Sequence, residues 1–187
     1  MIAFTILLTF AACSFTRAIN CPIPENLQLK EIDYDKLLGN WIMLANKPEW
    51  DEWCKNASVD NIENYGLRIH EEYYKSQLHF WQRRVTKDFD IVKHLEPSPI
   101  LELKDKAWYS YNTLKLLVIA ADYDRYIVLY RCFKKFFFIS EFVEIWGRRD
   151  MKLTPQKIPR KIKDALAKFQ ISSLDLKYRT PEDCWLE

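Results

Sequence analysis

From residue 41 to residue 146 the chain offers one short strand-like segment after another and no stretch of helical period. Segments 41–45, 67–74, 77–85, 89–95, 100–103, 113–120, 125–133 and 136–146 are rich in β-branched and aromatic residues, and several alternate apolar with polar positions. Lys75-Ser76 reads as a hairpin turn, and Pro97 and Pro99 end the fourth segment. Eight segments with short links predict an all-β fold, an antiparallel up-and-down meander. Closing that meander into a barrel removes its exposed edges.

The period then changes. Ile162, Ala165, Leu166 and Phe169 fall at helical spacing, with Lys161, Lys163, Asp164 and Lys168 on the other side, which predicts an amphipathic helix with Pro159 in its first turn. One apolar stripe on one helix is buried most economically against the outside of the barrel. Residues 171–178 add a short strand.

The glycines carry unusual weight because the chain has only three. Gly39 stands where an irregular approach turns into the first strand, so Gly39-Asn40-Trp41 reads as a tight turn delivering a large aromatic to the core.

Residues 1–12 are almost wholly apolar and run into Thr16-Arg17-Ala18, whose small residues suit a signal peptidase, although no Lys or Arg precedes the apolar core. This predicts a signal peptide over 1–18 and one domain over 19–187. The apolar run is too short for a membrane span, which takes about 20 residues, and no later stretch qualifies, so an integral membrane protein is not expected. Setting Cys13 aside with the leader, Cys21, Cys54, Cys132 and Cys184 remain, an even number that predicts two disulfides in a secreted, extracellular chain, with three pairings open. Asn56-Ala57-Ser58 is a glycosylation sequon.

Several function classes are disfavoured. With 28 basic and 26 acidic residues the chain lacks the electrostatic footprint of a nucleic-acid binder. His70, His79 and His94 lie on three different predicted strands and no cysteines are closely spaced, so no metal site is expected. No Gly-x-Ser-x-Gly elbow and no phosphate-binding glycine loop occurs, and no catalytic residue is assigned. What remains is a container: a small barrel whose interior is apolar and incompletely filled binds an apolar molecule through the hydrophobic effect.

Three further segments, taken together, resemble the signature regions of the lipocalins. They are Gly39-Asn40-Trp41 after an N-terminal arm, Ala121-Asp122-Tyr123 followed by Asp124-Arg125-Tyr126 between two late strands, and Arg149 at the end of the last barrel strand. Ala121 stands where the family usually has Thr, and Ile42 where an aromatic commonly follows the tryptophan. The resemblance implies an eight-stranded lipocalin β-barrel with one C-terminal helix packed outside. It also implies a structural signature of Gly39, Trp41, Asp122, Tyr123 and Arg149, with the Arg149 guanidinium lying across the Trp41 indole at the closed end. The chain is most similar to the branch of apolipoprotein D and the insect bilin-binding proteins, whose pattern implies disulfides Cys21–Cys132 and Cys54–Cys184.

Family register combined with alternation implies an inward, ligand-facing set: Met43 and Ala45 on the first strand, Leu116 and Val118 on the sixth, Ile127, Leu129 and Arg131 on the seventh, and Ile145 on the eighth. Arg131 would lie toward the open end, within reach of a fatty-acid carboxylate or a bilin propionate. A one-residue slip would exchange all of these for their neighbours. The function so implied is a secreted, non-catalytic carrier of a small hydrophobic ligand: a fatty acid, sterol, retinoid, tetrapyrrole or semiochemical. No cofactor is expected beyond such a bound lipid or tetrapyrrole. The alternatives are a salivary or immune interaction protein acting through its outer surface, and an isomerase resembling the lipocalin-type prostaglandin synthase. The second needs a free cysteine on an early barrel strand, and 55–131 contains none.

Overall fold

A computed structural model describes residue 29 and residues 31–47, 52–62, 66–77, 81–94, 96–106, 113–135 and 138–179. The strands are β1 (Gly39–Lys47), β2 (Glu52–Ile62), β3 (Gly66–Gln77), β4 (Trp81–Val92), β5 (Ile100–Asp105), β6 (Thr113–Asp122), β7 (Tyr126–Lys135), β8 (Phe138–Gly147) and β9 (Lys177–Tyr178), with helix α1 (Arg160–Lys168) between the last two. β1 to β8 pair antiparallel, each with the next in the chain. β1 then closes the ring by pairing Ile42–Lys47 with β8. Because β1 pairs with β2 only over 39–42, its far half on that side is open, and β9 fills part of it opposite Ala45 and Asn46.

The barrel is as expected, but two of its strands are not. β2 was invisible to the strand pattern. Its residues Glu-Trp-Cys-Lys-Asn-Ala-Ser-Val-Asp-Asn-Ile are rich in types that disfavour strands, and it is held by neighbours on both sides rather than by propensity. Conversely, the expected strands 77–85 and 89–95 are one strand. β4 runs unbroken through the polar Thr86-Lys87-Asp88 because it pairs with β3 along its whole length, and Lys75-Ser76 lies within β3 rather than at the turn.

Alternation along the strands sorts the apolar residues into two cores. Inside the barrel lie Trp41, Met43, Ala57, Val59, Leu67, Ile69, Phe89, Leu103, Val118, Ile127 and Trp146, among others. Outside, Leu44, Ile119, Tyr126, Val128, Tyr130, Val143 and Ile145 pack under α1 through Ile162, Ala165, Leu166 and Phe169. The helical stripe thus packs as its spacing predicts, with Ile162 and Leu166 fully buried. Pro159 is the residue just before the helix, its carbonyl accepting from Ile162 and Lys163. The helix ends at Gln170, which takes φ 58 while its own N–H and that of Ile171 return to the carbonyls of Ala167 and Leu166, a Schellman closure built without glycine.

Two bulges decide which residues face in. In β1, Met43 opposes Trp146 and Ala45 opposes Ile145, so Leu44 is the extra residue. In β6, Val118 opposes Leu129 and Ala120 opposes Val128, so Ile119 is extra. Both bulges put two successive residues on the outer side, where the helix covers them.

Candidate functional site

The closed end is built around Trp41. Gly39 reaches it with φ +97, in the left-handed region that only glycine takes without strain, and a Cβ there would sit 3.3 Å from Nη1 of Arg148. The indole N–H of Trp41 donates to the Leu37 carbonyl at 2.7 Å. Across the ring lies a guanidinium, its carbon 3.7 Å from the ring centre, and it belongs to Arg148. Its N–H groups donate to the carbonyls of Lys36, Leu38, Asn40 and Tyr123. Tyr123 also ties down the N-terminal arm, its hydroxyl accepting from the Asp33 N–H at 3.0 Å, while the Asp122 carbonyl closes the β6–β7 turn by accepting from Arg125.

Arg149 is therefore not the stacking arginine. It is exposed and borders an outer groove with Asn40, Asn56, Ser58, His70 and Glu72. The chain offers two consecutive arginines. Arg148 is held at the ring by the turn after β8, where its N–H donates to the Arg125 carbonyl. Asn56 lies on the outer side of β2, half-buried between Ile42 and Glu72.

Of the expected inward set, Met43, Leu116, Val118, Ile127 and Leu129 belong to the interior core, and Arg131 lines an interior chamber. Ala45 and Ile145 do not. They oppose each other on the outer face beneath α1, because the β1 bulge reverses the alternation after Met43, and Trp146 and Glu144 are the inward residues of β8. Cys21 and Cys184 lie outside the described residues, as do residues 1–18.

The interior has two levels. Around Trp41, Ala57, Val59, Leu103, Ile127 and Trp146 is an apolar void of about 40 Å³. Above it opens a chamber of about 300 Å³ walled by Phe89, Leu114, Leu116, Leu129 and Phe142 and carrying Lys55, Glu71, Tyr73, Lys87, Arg131 and Glu144. Strand alternation would place charges on the outer face, so the ionic group here is what sequence reasoning missed. Its one sequence signal is that Lys55 continues the inward row of Ala57 and Val59.

Lys55 is the centre of that group. Its ammonium lies 3.3 Å from a Glu71 oxygen and 3.3 Å from a Glu144 oxygen, joining β2, β3 and β8 across the barrel. The second oxygen of Glu144 accepts the Trp146 indole N–H at 2.9 Å. The Lys55 and Glu71 side chains are only 10% and 12% exposed. Burial pushes the Glu71 carboxyl above its ordinary value, with Lys55 pulling the other way, and burial lowers the Arg131 guanidinium against the pull of Glu144. Glu71 borders both spaces, so this ionic group forms a floor between the dry void and the chamber. Among the described residues no group of His, Cys, Asp or Glu is arranged to hold a metal ion, and no helix is long and apolar enough to cross a membrane.

No protein-family model and no curated protein matches this sequence. Solved structures do match in shape. Insecticyanin from the tobacco hornworm Manduca sexta is similar at a TM-score of 0.67 and 15% identity, over 86% of each chain. The cockroach allergen Per a 4 is similar at 0.63 and 16%, over 85% of this chain and 93% of that one. Japanin from Rhipicephalus appendiculatus, solved bound to cholesterol, is similar at 0.52 and 11%, over 75% of this chain and 91% of its own. At such identities a shared shape speaks for architecture alone, and the architecture is the lipocalin fold.

Proposed function

We propose that the protein is a member of the lipocalin family that carries a small hydrophobic or amphiphilic molecule by reversible, non-catalytic binding inside the barrel. The observation that carries this reading is the chamber of about 300 Å³ above the ionic floor, walled by Phe89, Leu114, Leu116, Leu129 and Phe142. Space of that size, concave and mostly apolar with a few converging polar groups, is what a small-molecule site requires. The shape likeness to japanin, solved with cholesterol, is consistent with it. An incompletely filled interior favours a carrier over a protein acting only through its outer surface.

The same reading makes residues 1–18 a signal peptide, the mature chain secreted, and Asn56 a glycosylation site. It pairs Cys21 with Cys132 and Cys54 with Cys184, in the manner of the apolipoprotein D and bilin-binding branch. Neither Cys54 nor Cys132 titrates as a thiol, which supports both the pairing and the absence of isomerase chemistry. The test is a fluorescence titration of the mature protein with N-phenyl-1-naphthylamine, followed by displacement with fatty acids, sterols, retinoids and tetrapyrroles. Binding of at least one below tens of micromolar is expected, and failure of every one would overturn the carrier reading.

A further inference from the structure

The chamber differs in kind from the void beneath it. Its walls are apolar while its lower end is charged: Lys55, Lys87 and Arg131 meet Glu71 and Glu144 there, three cations to two carboxylates among the described residues that line it. Lys55 and Lys87 lie 5.9 and 5.6 Å from the centre of the same Tyr73 ring, and Arg131 lies 5.6 Å from that of Phe142. Aromatic faces attract cations, but two ammonium groups at one ring also repel each other, and more strongly where water is scarce. The positive excess continues outward, where Lys75, Arg83 and Lys106 border a wider recess that shares Tyr73 and Lys87 with the chamber. Over the whole chain the balance is close, 28 bases to 26 acids, so this interior is more basic than the protein around it.

We propose that the chamber selects a small organic anion and seats it head inward, its acidic group between Lys87 and Arg131 and its apolar body against Phe89, Leu116, Leu129 and Phe142. The inference rests on the carrier reading and specifies its ligand class. Orientation follows from the floor. The space below Lys55, Glu71 and Glu144 is about 40 Å³, too little for an alkyl tail or a ring. An apolar group pushed down first would therefore meet buried charge, whereas a carboxylate, sulfate or phosphate monoester meets charge-assisted donors. A chamber of about 300 Å³ is at the small end of ligand sites, which suits one ring or a short chain better than a four-ring skeleton.

The experiment compares three molecules of one shape, 4-phenylbutyrate, 4-phenylbutanol and 4-phenylbutylamine, by calorimetry at pH 7. The intact protein is set beside the double variants Lys87→Met/Arg131→Met and Lys75→Met/Arg83→Met. The acid is expected to bind at least about tenfold more tightly than the alcohol, as one charge-assisted contact implies, and the amine most weakly. The inner variant should reduce that preference to below about threefold while still binding the alcohol, which shows that it folds; the rim variant should keep the preference. Equal binding of acid and alcohol, or a preference lost with Lys75 and Arg83 instead, would overturn the proposal. If none of the three binds but N-phenyl-1-naphthylamine does, the anion site is wrong and the carrier stands; if the naphthylamine also fails, the carrier reading falls with it.

Discussion

The Arg148 guanidinium lies face-on to the Trp41 indole at 3.7 Å and hydrogen-bonds the carbonyls of four residues from the N-terminal arm, β1 and the β6–β7 turn. One side chain thus binds three segments that are distant in sequence. Arg148→Ala removes a ring contact and leaves carbonyls at the closed end without donors, so a loss of about 2–4 kcal/mol is expected. In a chain of this size that lowers the melting temperature by roughly 5–15 °C. Arg149→Ala, at an exposed position, should stay within about 0.5 kcal/mol. Thermal melts of the two variants side by side check the assignment, and a larger loss at Arg149 would refute it.

Gly147 closes β8 where the chain passes Leu44, the extra residue of the β1 bulge. A Cβ at Gly147 would collide with the Leu44 side chain and stand 3.3 Å from Met151 Cβ. Gly147→Ala should destabilise by about 1–3 kcal/mol through overpacking. The same change made in a Leu44→Ala background should cost much less, so urea denaturation of the four-protein cycle should show a coupling of about 1 kcal/mol or more. Additive losses would mean that backbone conformation, not Leu44, excludes a side chain there.

Gln170 ends α1 at φ 58, a conformation in which a Cβ crowds its own backbone. Gln170→Gly should stabilise the protein by about 1 kcal/mol and raise the melting temperature by roughly 2–4 °C. Gln170→Ala, which keeps the Cβ, should bring no such gain.

The buried Glu71 makes stability depend on pH in a defined direction. Its carboxyl is raised above the ordinary value of 4.5, chiefly by burial and also by Glu144, with Lys55 and Lys87 opposing. The folded state therefore holds this proton more tightly than the unfolded chain does. Its contribution is most favourable below about 4.5 and is lost as pH rises from there through the folded-state value. Relative to Glu71→Gln, the unaltered protein should gain stability as pH is lowered toward 4.5 and should stop gaining below it, as read from urea midpoints across the series. Lys55→Met leaves Glu71 and Glu144 facing each other without the shared ammonium, and a loss of about 3–5 kcal/mol at pH 7 is expected, smaller in acid. A loss that is the same at both pH values would show that the floor is not electrostatic.

Much of the architecture is legible along the chain because it depends on local period. The apolar stripe Ile162, Ala165, Leu166 and Phe169 specifies a helix and its buried face without reference to anything else. Strands β5 to β8 are likewise visible, since β-branched and aromatic runs favour the extended backbone wherever they lie. Trp41 is recognisable as the aromatic delivered by Gly39, because a positive φ is a local demand that only glycine meets cheaply.

What only the tertiary structure decided are matters of register and of burial against distant neighbours. β2 is a strand because β1 and β3 flank it, although its own residues resist. A single inserted residue at Leu44 turned Ala45 and Ile145 outward and brought Glu144 and Trp146 inward, since side chains alternate with period two and any insertion reverses all that follows. Two adjacent arginines are equivalent in sequence until the turn after β8 lays one of them on the indole. Lys55, Glu71 and Glu144 each read as surface charges; their burial is tolerable only because closing the barrel brings β2, β3 and β8 within 3.3 Å of one another's charged ends.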